Sequence, residues 1–266
     1  DMMEDIIASG KADVVEIARS LIADPDLPTK ARMGAEVRIT PCLRCLSCFS
    51  NEVQVGEKYC AVNPSSGYEY EQRHGIPKAD VKKKVLIAGG GIGGMQAAIS
   101  CAQRGHDVIL CEKSSTLGGI LLCEKDVPFK RNLDRYMQHQ VYEIGHLGID
   151  VRLNTEVTPE FASSLEPDVL IASLGSRPVK PPIPGIDGKN VYSAEYIYTH
   201  TEDAGESAVI LGGGLVGLEL ALFLAGKGKK ITVIEMLDHV SDGGNFLHME
   251  GLLIEIRNAG IELHLS

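Results

Sequence analysis

The sequence predicts an α/β protein with parallel sheets, in which one strand–turn–helix unit occurs twice. Apolar segments at 85–88 and 208–211 each run into a glycine-rich turn and then into an apolar helical segment. A second apolar strand follows each helix, at 107–111 and 230–234, so the two units lie 123 residues apart. Strands that alternate with helices in this way are typical of βαβ units and a parallel sheet.

Both turns have the glycine spacing G-x-G-x-x-G. Such glycines allow a tight turn, let the backbone approach a pyrophosphate and let the following helix pack on the strand. A glutamate at the end of each second strand is placed to accept hydrogen bonds from a ribose. The candidate residues are Gly89, Gly91, Gly94 and Glu112 in the first unit, and Gly212, Gly214, Gly217 and Glu235 in the second. A glycine-rich turn without a ligand, in a domain of Rossmann type, is the alternative for each.

The second glutamate also bears on the choice of nucleotide. The carboxylate of Glu235 repels a ribose 2′-phosphate, and no arginine follows it within 236–240. The sequence therefore favours NADH over NADPH.

Charge and length limit the class of partner. A net charge of −10 over 266 residues argues against nucleic acid and anionic membranes, because both need a basic surface. The chain is long enough for two domains with buried cores. We therefore expect a small-molecule substrate, no nucleic acid and no membrane.

Four of the seven cysteines fall within 42–60, and their spacing indicates a metal centre. Cys42, Cys45 and Cys48 follow one another at intervals of three, and Cys60 comes later. Closely spaced ligands converge on one face of a [4Fe–4S] cluster, and a more distant cysteine completes the set. Structural zinc sites usually use two separated Cys-x2-Cys pairs, so zinc is one alternative and cysteines without a metal are another.

The remaining cysteines lie in the predicted Rossmann-type segments. The odd total, and the lack of a segment resembling a secretory signal, argue against a disulfide framework and predict a cytoplasmic protein. We expect small buried hydrophobic side chains at Cys101, Cys111 and Cys123.

Two nucleotide motifs in one chain resemble the flavoprotein reductases that bind FAD in one domain and NADH in a nested one. Three further segments carry the resemblance: 117–119, 154–157 and 168–178. It implies that Gly118 and Gly119 lie near the ribityl chain and phosphates of FAD. It also implies that the backbone at Val157 contacts adenine and that Gly175 belongs to the turn that returns to the FAD site. Most members have Ala-Thr-Gly where this chain has Ser-Leu-Gly at 173–175, so the threonine hydroxyl is missing here.

A cysteine loop directly ahead of an FAD domain resembles the iron–sulfur flavoenzymes of the Old Yellow Enzyme group. These include 2,4-dienoyl-CoA reductase, 2-enoate reductase and, as a relative, trimethylamine dehydrogenase. In that group an FMN-binding (β/α)8 barrel precedes the loop, and residues 10–27 are similar to its last units. The resemblance implies a barrel strand at 14–17 and a contact from Arg19 to the FMN phosphate. Members usually have a glycine where this chain has Ala18.

The predicted domains follow from these segments. They are the last units of an FMN-binding barrel at 1–33, a [4Fe–4S] loop and linker at 34–80, an FAD-binding domain at 81–200 and an NAD(H)-binding domain at 201–266. Both ends interrupt a predicted helix or strand, so we expect a C-terminal piece of a longer protein in which both Rossmann-type domains are truncated. We expect the piece alone to be inactive and not to retain FMN, because a barrel needs all of its strands to close.

The implied function is that of an NADH:flavin oxidoreductase of the enoate reductase type. Electrons would pass from NADH to FAD, through the [4Fe–4S] cluster to FMN, and reduce the activated C=C bond of an enoate, an enoyl-CoA or a steroid enone. Amine oxidation, as in trimethylamine dehydrogenase, is one alternative, and a non-catalytic electron-transfer subunit is another. Homo-oligomerisation is left open, and no catalytic residue is assigned.

Overall fold

The computed structural model describes residues 2–50, 56, 59–240 and 245–266. Three short helices come first: α1 (Met2–Ala8), α2 (Arg19–Ala23) and α3 (Leu27–Arg32). The predicted barrel strand at 14–17 is wrong, because these residues form no strand and Val14 is 80% exposed. A strand needs a neighbour to satisfy its backbone N–H and C=O groups, and none of the described strands lies beside this segment.

The first glycine turn belongs to a four-stranded parallel sheet. Its strands are β1 (Lys84–Ala88), β2 (Asp107–Cys111), β3 (Asp150–Arg152) and β4 (Val169–Ala172). The helices between them are α4 (Ile92–Gln103), α5 (Arg131–His146) and α6 (Pro159–Ser164). The order β3-β2-β1-β4 puts β1 and β2 in the centre, where each is paired on both edges and is mostly buried.

The second glycine turn belongs to a three-stranded parallel sheet with the order of the chain. Its strands are β5 (Ser207–Leu211), β6 (Lys230–Ile234) and β7 (Glu262–His264). The helices of this unit are α7 (Ala194–Thr199), α8 (Leu215–Ala225) and α9 (Phe246–Asn258).

Both units use the same strand register. β1 pairs with β2 from Lys84 opposite Asp107, and β5 pairs with β6 from Ser207 opposite Lys230. Each residue of the second pair lies 123 residues after its equivalent in the first pair, which is also the distance between the glycine turns. The predicted repeat, and the predicted second strand of each unit, are confirmed.

Each unit has its own core, and α7 belongs to the second one. Ile197 and Tyr198 of α7 pack with Leu218 and Phe223 of α8. The predicted boundary at 200/201 therefore falls after a helix that already packs on the second unit. The sequence around α7 has no glycine motif or strand to signal this packing.

The apolar stretch at 209–226 forms a strand, a turn and a helix. It covers most of β5 and all of α8, and α8 buries Leu218, Ala221 and Leu224 against the second sheet. Within the described ranges, none of the helices is long and apolar enough to cross a membrane.

One substitution tests the close contact between turn and helix. A Cβ on Gly94 would clash with the carbonyl oxygen of Gly89, so Gly94→Ala should lower the free energy of unfolding by about 1–3 kcal/mol. The neighbouring Gly93 is exposed on α4, and a Cβ there meets no described atom within 4 Å. Gly93→Ala is the matched control and should leave stability unchanged or slightly raised, because alanine favours helix. Urea unfolding measures both, and equal stabilities of the two variants would contradict the contact.

Candidate dinucleotide sites and cysteine loop

The first glycine turn is bound to the glutamate at the end of β2. Glu112 Oε2 accepts a hydrogen bond of 2.6 Å from the Gly90 N–H, and its Oε1 accepts one of 2.8 Å from the Ser114 N–H. The backbone of the turn is also bonded to the end of β2, because the Gly89 N–H donates to the Cys111 carbonyl at 2.8 Å. These bonds fix the carboxylate beside the turn.

The second unit repeats these contacts. Glu235 Oε2 accepts a bond of 2.6 Å from the Gly213 N–H, and its Oε1 accepts one of 2.9 Å from the Leu237 N–H. The Gly212 N–H donates to the Ile234 carbonyl at 2.8 Å. Each donor and acceptor in the second unit lies 123 residues after its equivalent in the first. The two candidate sites therefore have the same hydrogen-bond geometry.

The same bonds keep both carboxyl groups charged. Burial raises the pKa of Glu112, but the N–H groups of Ser114 and Gly90 bind its ionised form and hold the pKa below the ordinary value. The N–H groups of Gly213 and Leu237 likewise hold the pKa of Glu235 below its ordinary value. Each carboxylate retains lone pairs that can accept ribose hydroxyls.

The glycines leave room where a phosphate would approach and none where helix meets strand. A Cβ on Gly94 or Gly217 would clash with the carbonyl of the first glycine of its own turn. A Cβ on Gly214 meets no described atom within 4 Å, and one on Gly91 meets only Gly119 at 3.9 Å. Gly91 and Gly214 cap α4 and α8, so the open side faces helix N-termini, which attract anions.

The second glycine pair, Gly118 and Gly119, packs on the first turn. The Gly118 N–H donates to the Gly90 carbonyl at 2.9 Å, and Gly118 forms a parallel bridge with Gly91. A Cβ on Gly119 would lie 2.9 Å from the Gly91 Cα. This close approach gives the first turn an additional wall.

The other two residues of the predicted FAD site lie around the same sheet edge. Val157 packs beneath β2 against Cys111 and Ala162. Gly175 follows β4 with φ +74°, and the chain just before it crosses the first turn, where the Ser173 N–H donates to the Ala88 carbonyl at 2.8 Å. Their binding roles stay predictions.

The four clustered cysteines line one small cavity. Its walls are Arg19, Cys42, Leu43, Cys45, Leu46, Cys48, Cys60, Ala61 and Val62. Burial and the neighbouring thiols of Cys45 and Cys42 raise the pKa of Cys48. Burial likewise raises the pKa of Cys60, and the same neighbours add to it. Four thiols therefore line a cavity whose other walls are mainly apolar, which is the environment that an iron–sulfur site requires.

Two non-glycine residues in the described part of the loop have a left-handed backbone. Arg44 and Leu46, on either side of Cys45, both have φ +60°. Left-handed residues turn successive N–H groups towards one side, which creates the concave sites found around iron–sulfur clusters. The conformation costs energy for residues with a Cβ and persists where surrounding contacts determine it.

Arg19 lies with the cysteines rather than with either glycine turn. It is the first residue of α2 and forms part of the cysteine cavity. Its predicted contact to an FMN phosphate stays a prediction. Of the other three cysteines, Cys111 is buried, whereas Cys101 and Cys123 are half-buried against the two cores.

A partly buried charged cluster lies between the units and was not predicted from the sequence. Lys130 Nζ lies 2.7 Å from Glu124 Oε1 and 2.6 Å from Glu219 Oε2, and His248 Nε2 lies 3.1 Å from Glu219 Oε1. Burial raises the pKa of Glu219, but the hydrogen bonds from His248 and Lys130 outweigh this and lower it. In the sequence, only Glu219 pointed to this cluster, because it is the one charged residue within 209–226 and a buried carboxylate needs a partner.

Comparison with known proteins gives three related results. An NADH oxidase of Thermoanaerobacter brockii is 41% identical over 249 residues, which cover 91% of this chain and 38% of that protein. A cinnamate reductase of Clostridium sporogenes is 38% identical over 252 residues, covering 93% of this chain and 37% of that protein. The solved structure of 2-naphthoyl-CoA reductase with 2-naphthoyl-CoA is 32% identical with a TM-score of 0.91, covering 98% of this chain and 40% of that one. The chain therefore spans 37–40% of the length of these relatives.

The fold and the paired turns define an α/β nucleotide-binding oxidoreductase. Residues 83–266 match the family model for pyridine nucleotide-disulphide oxidoreductases, and the chain belongs to that family. The named reductases confirm the resemblance to the iron–sulfur flavoenzymes of the Old Yellow Enzyme group.

The lowered pKa of Glu112 predicts a dependence of stability on pH. Its ionised form contributes stability that is fully present above the pKa of an unfolded glutamate and is lost as the pH falls through the lower folded-state pKa. Glu112→Gln should lower the free energy of unfolding at neutral pH and flatten its slope in this acidic window. The exposed Glu156→Gln is the control and should keep the wild-type slope. Urea titrations across this range measure the slopes, and an unchanged slope in Glu112→Gln would refute the linkage.

The cysteine cavity predicts the metal content. Protein isolated without oxygen should bind about four irons, and Cys45→Ser should abolish this binding because it removes a central ligand. Cys101→Ser, on α4 outside the cavity, should retain the iron. Iron and zinc analysis decides the matter, and stoichiometric zinc without iron would show that the cluster assignment is wrong.

Proposed function

We propose that this chain carries electrons from NADH, bound at the second glycine turn, through FAD at the first turn to a [4Fe–4S] cluster held by Cys42, Cys45, Cys48 and Cys60. One observation carries the proposal. The same carboxylate-on-turn geometry occurs in two units, and both units contact the cysteine loop. The first contacts it through Asn132, whose Nδ2 donates to the Cys42 carbonyl at 2.9 Å. The second contacts it through Asn245 Nδ2, which donates to the Cys45 carbonyl at 2.6 Å.

The assignment of FAD to the first turn rests on its additional wall. Gly118 and Gly119 pack on the first turn and extend the surface available to a ligand beyond the pyrophosphate. FAD has a ribityl chain and a large ring system beyond its phosphates, so the longer surface suits it. The second turn, with Glu235 at the end of β6, suits NADH.

The chain's own residues would bind and orient these groups. When bound, FAD would accept hydride from NADH, and the cluster would pass electrons singly to an FMN that reduces an activated C=C bond. Glu112 and Glu235 would orient the two riboses. The apolar side chains of Leu43, Leu46 and Val62 would exclude water from the cysteine site.

The substrate class is proposed from the relatives. Cinnamate reductase and 2-naphthoyl-CoA reductase carry names that fit the reduction of a conjugated acid or CoA ester. An enoate, an enoyl-CoA or a steroid enone is therefore our proposed substrate. The substrate pocket and its proton donor would belong to a barrel of the kind that the resemblance implies. We further propose the domain order given by the sequence, with its NAD(H) unit starting at α7.

Nucleotide preference tests the role of Glu235. Glu235→Ala should weaken NADH binding on the order of 10-fold, because the ribose hydroxyls lose their acceptor. The same substitution should reduce the preference of the protein for NADH over NADPH, because the repulsion of the 2′-phosphate is removed. Glu250→Ala, at an exposed position of α9, is the matched control and should bind as the wild type does. Calorimetric titration with each nucleotide gives the dissociation constants. A wild-type protein that binds NADPH more tightly than NADH would contradict the assignment.

A further inference from the structure

Cys45 is held by two side chains besides the cavity wall. Ser47 Oγ donates to Cys45 Sγ at 3.3 Å, and Asn245 Nδ2 donates to the Cys45 carbonyl at 2.6 Å. The flanking residues Arg44 and Leu46 are both left-handed although each carries a Cβ. The contact from Asn245 therefore falls on a strained part of the cysteine loop.

The amide of Asn245 has one orientation that satisfies its partners. Its Oδ1 accepts from Ser50 Oγ at 2.7 Å and from the His248 N–H at 3.3 Å. The Cys45 carbonyl can only accept and the His248 N–H can only donate, so the amide cannot be reversed. Ser50 is fully buried, which keeps this arrangement away from solvent.

Asn245 belongs to the nucleotide unit, although it contacts the cysteine loop. It is the N-cap of α9, and His248 in the first turn of that helix contacts Glu219 of α8. Gly214 of the second glycine turn is the N-cap of α8. A continuous set of contacts therefore runs from that turn along α8 to Glu219, His248, Asn245 and Cys45.

We propose that Asn245 is a positioning residue that couples nucleotide binding at the second glycine turn to the electron affinity of the cluster at Cys45. The inference rests on the proposed function, because it requires both the cluster and the nucleotide site. A hydrogen bond to a thiolate ligand, such as the one from Ser47 Oγ to Cys45 Sγ, stabilises the extra electron of a reduced cluster. Asn245 positions that ligand through its bond to the Cys45 carbonyl. A bound nucleotide orders α8 and α9 and holds Asn245 against Cys45, so the cluster is easier to reduce while the nucleotide is bound.

Linkage makes this coupling measurable as binding. If the nucleotide favours the reduced cluster, the reduced protein binds the nucleotide more tightly by the same factor. The probe is 1,4,5,6-tetrahydro-NAD, an analogue of NADH that cannot donate hydride. Its dissociation constant is measured on anaerobic protein with the cluster oxidised and again after reduction by dithionite. We expect binding about five-fold tighter in the reduced state, which corresponds to a rise of about 40 mV in the one-electron potential.

Two substitutions of Asn245 separate its bond to Cys45 from its role as the N-cap of α9. Asn245→Asp keeps a good N-cap acceptor for the His248 N–H but removes the donor to the Cys45 carbonyl. Asn245→Ser is a neutral cap that is too short to reach the same carbonyl. Both variants should bind the analogue equally in the two redox states. Asn190→Asp, the same substitution at an exposed turn of the first unit, should keep the wild-type ratio.

The outcomes distinguish this inference from the function on which it rests. A wild-type protein with an intact cluster that binds the analogue equally in both states overturns the coupling and leaves the proposed function standing. A five-fold ratio that persists in Asn245→Asp and Asn245→Ser overturns the role of Asn245. If the wild-type protein binds no cluster, the proposed function and the inference fail together.

Discussion

The hydrogen bond between a glycine-turn N–H and the glutamate at the end of the neighbouring strand is the interaction on which both candidate sites depend. It measures 2.6 Å from Gly90 to Glu112 and from Gly213 to Glu235. Parallel pairing sets it, because β1 and β2 end in register, as do β5 and β6, so the next residues of each pair lie side by side. The bond keeps the carboxylate charged beside a helix N-terminus, with one face of each turn left open.

The cysteine loop is where the two units meet. Asn132 at the start of α5 and Asn245 at the start of α9 each donate to a carbonyl of a cysteine. The partly buried pairs of Lys130 with Glu124 and Glu219 join the units a second time. Partial burial shields these pairs from solvent, so they help to hold the units in one orientation. A fixed orientation is what electron transfer between separate centres requires, because each centre must stay at its distance from the next.

The parts of the fold that were predictable from the sequence are those set by local patterns. The second strands match their predicted bounds, because apolar runs between glycine turns and acidic ends leave little choice of register. The strand at 14–17 was wrongly predicted, because pairing partners decide whether an apolar run forms a strand. The packing of α7 on the second core and the contact of Asn245 with Cys45 join residues far apart in the chain. The spacing of residues in the sequence does not predict such long-range contacts. A single asparagine before an amphipathic helix predicts only an N-cap.

We propose that the two turns and the cysteine loop form one route for electrons. The most direct test is anaerobic rapid mixing of the FAD-containing protein with NADH, followed by flavin absorbance and by the electron paramagnetic resonance of the cluster. We expect flavin absorbance to be lost first and the signal of a reduced cluster to appear afterwards, at the expense of the reduced flavin. A protein that binds NADH but keeps its flavin oxidised, or that reduces its flavin while the cluster stays oxidised, would show that no such route exists.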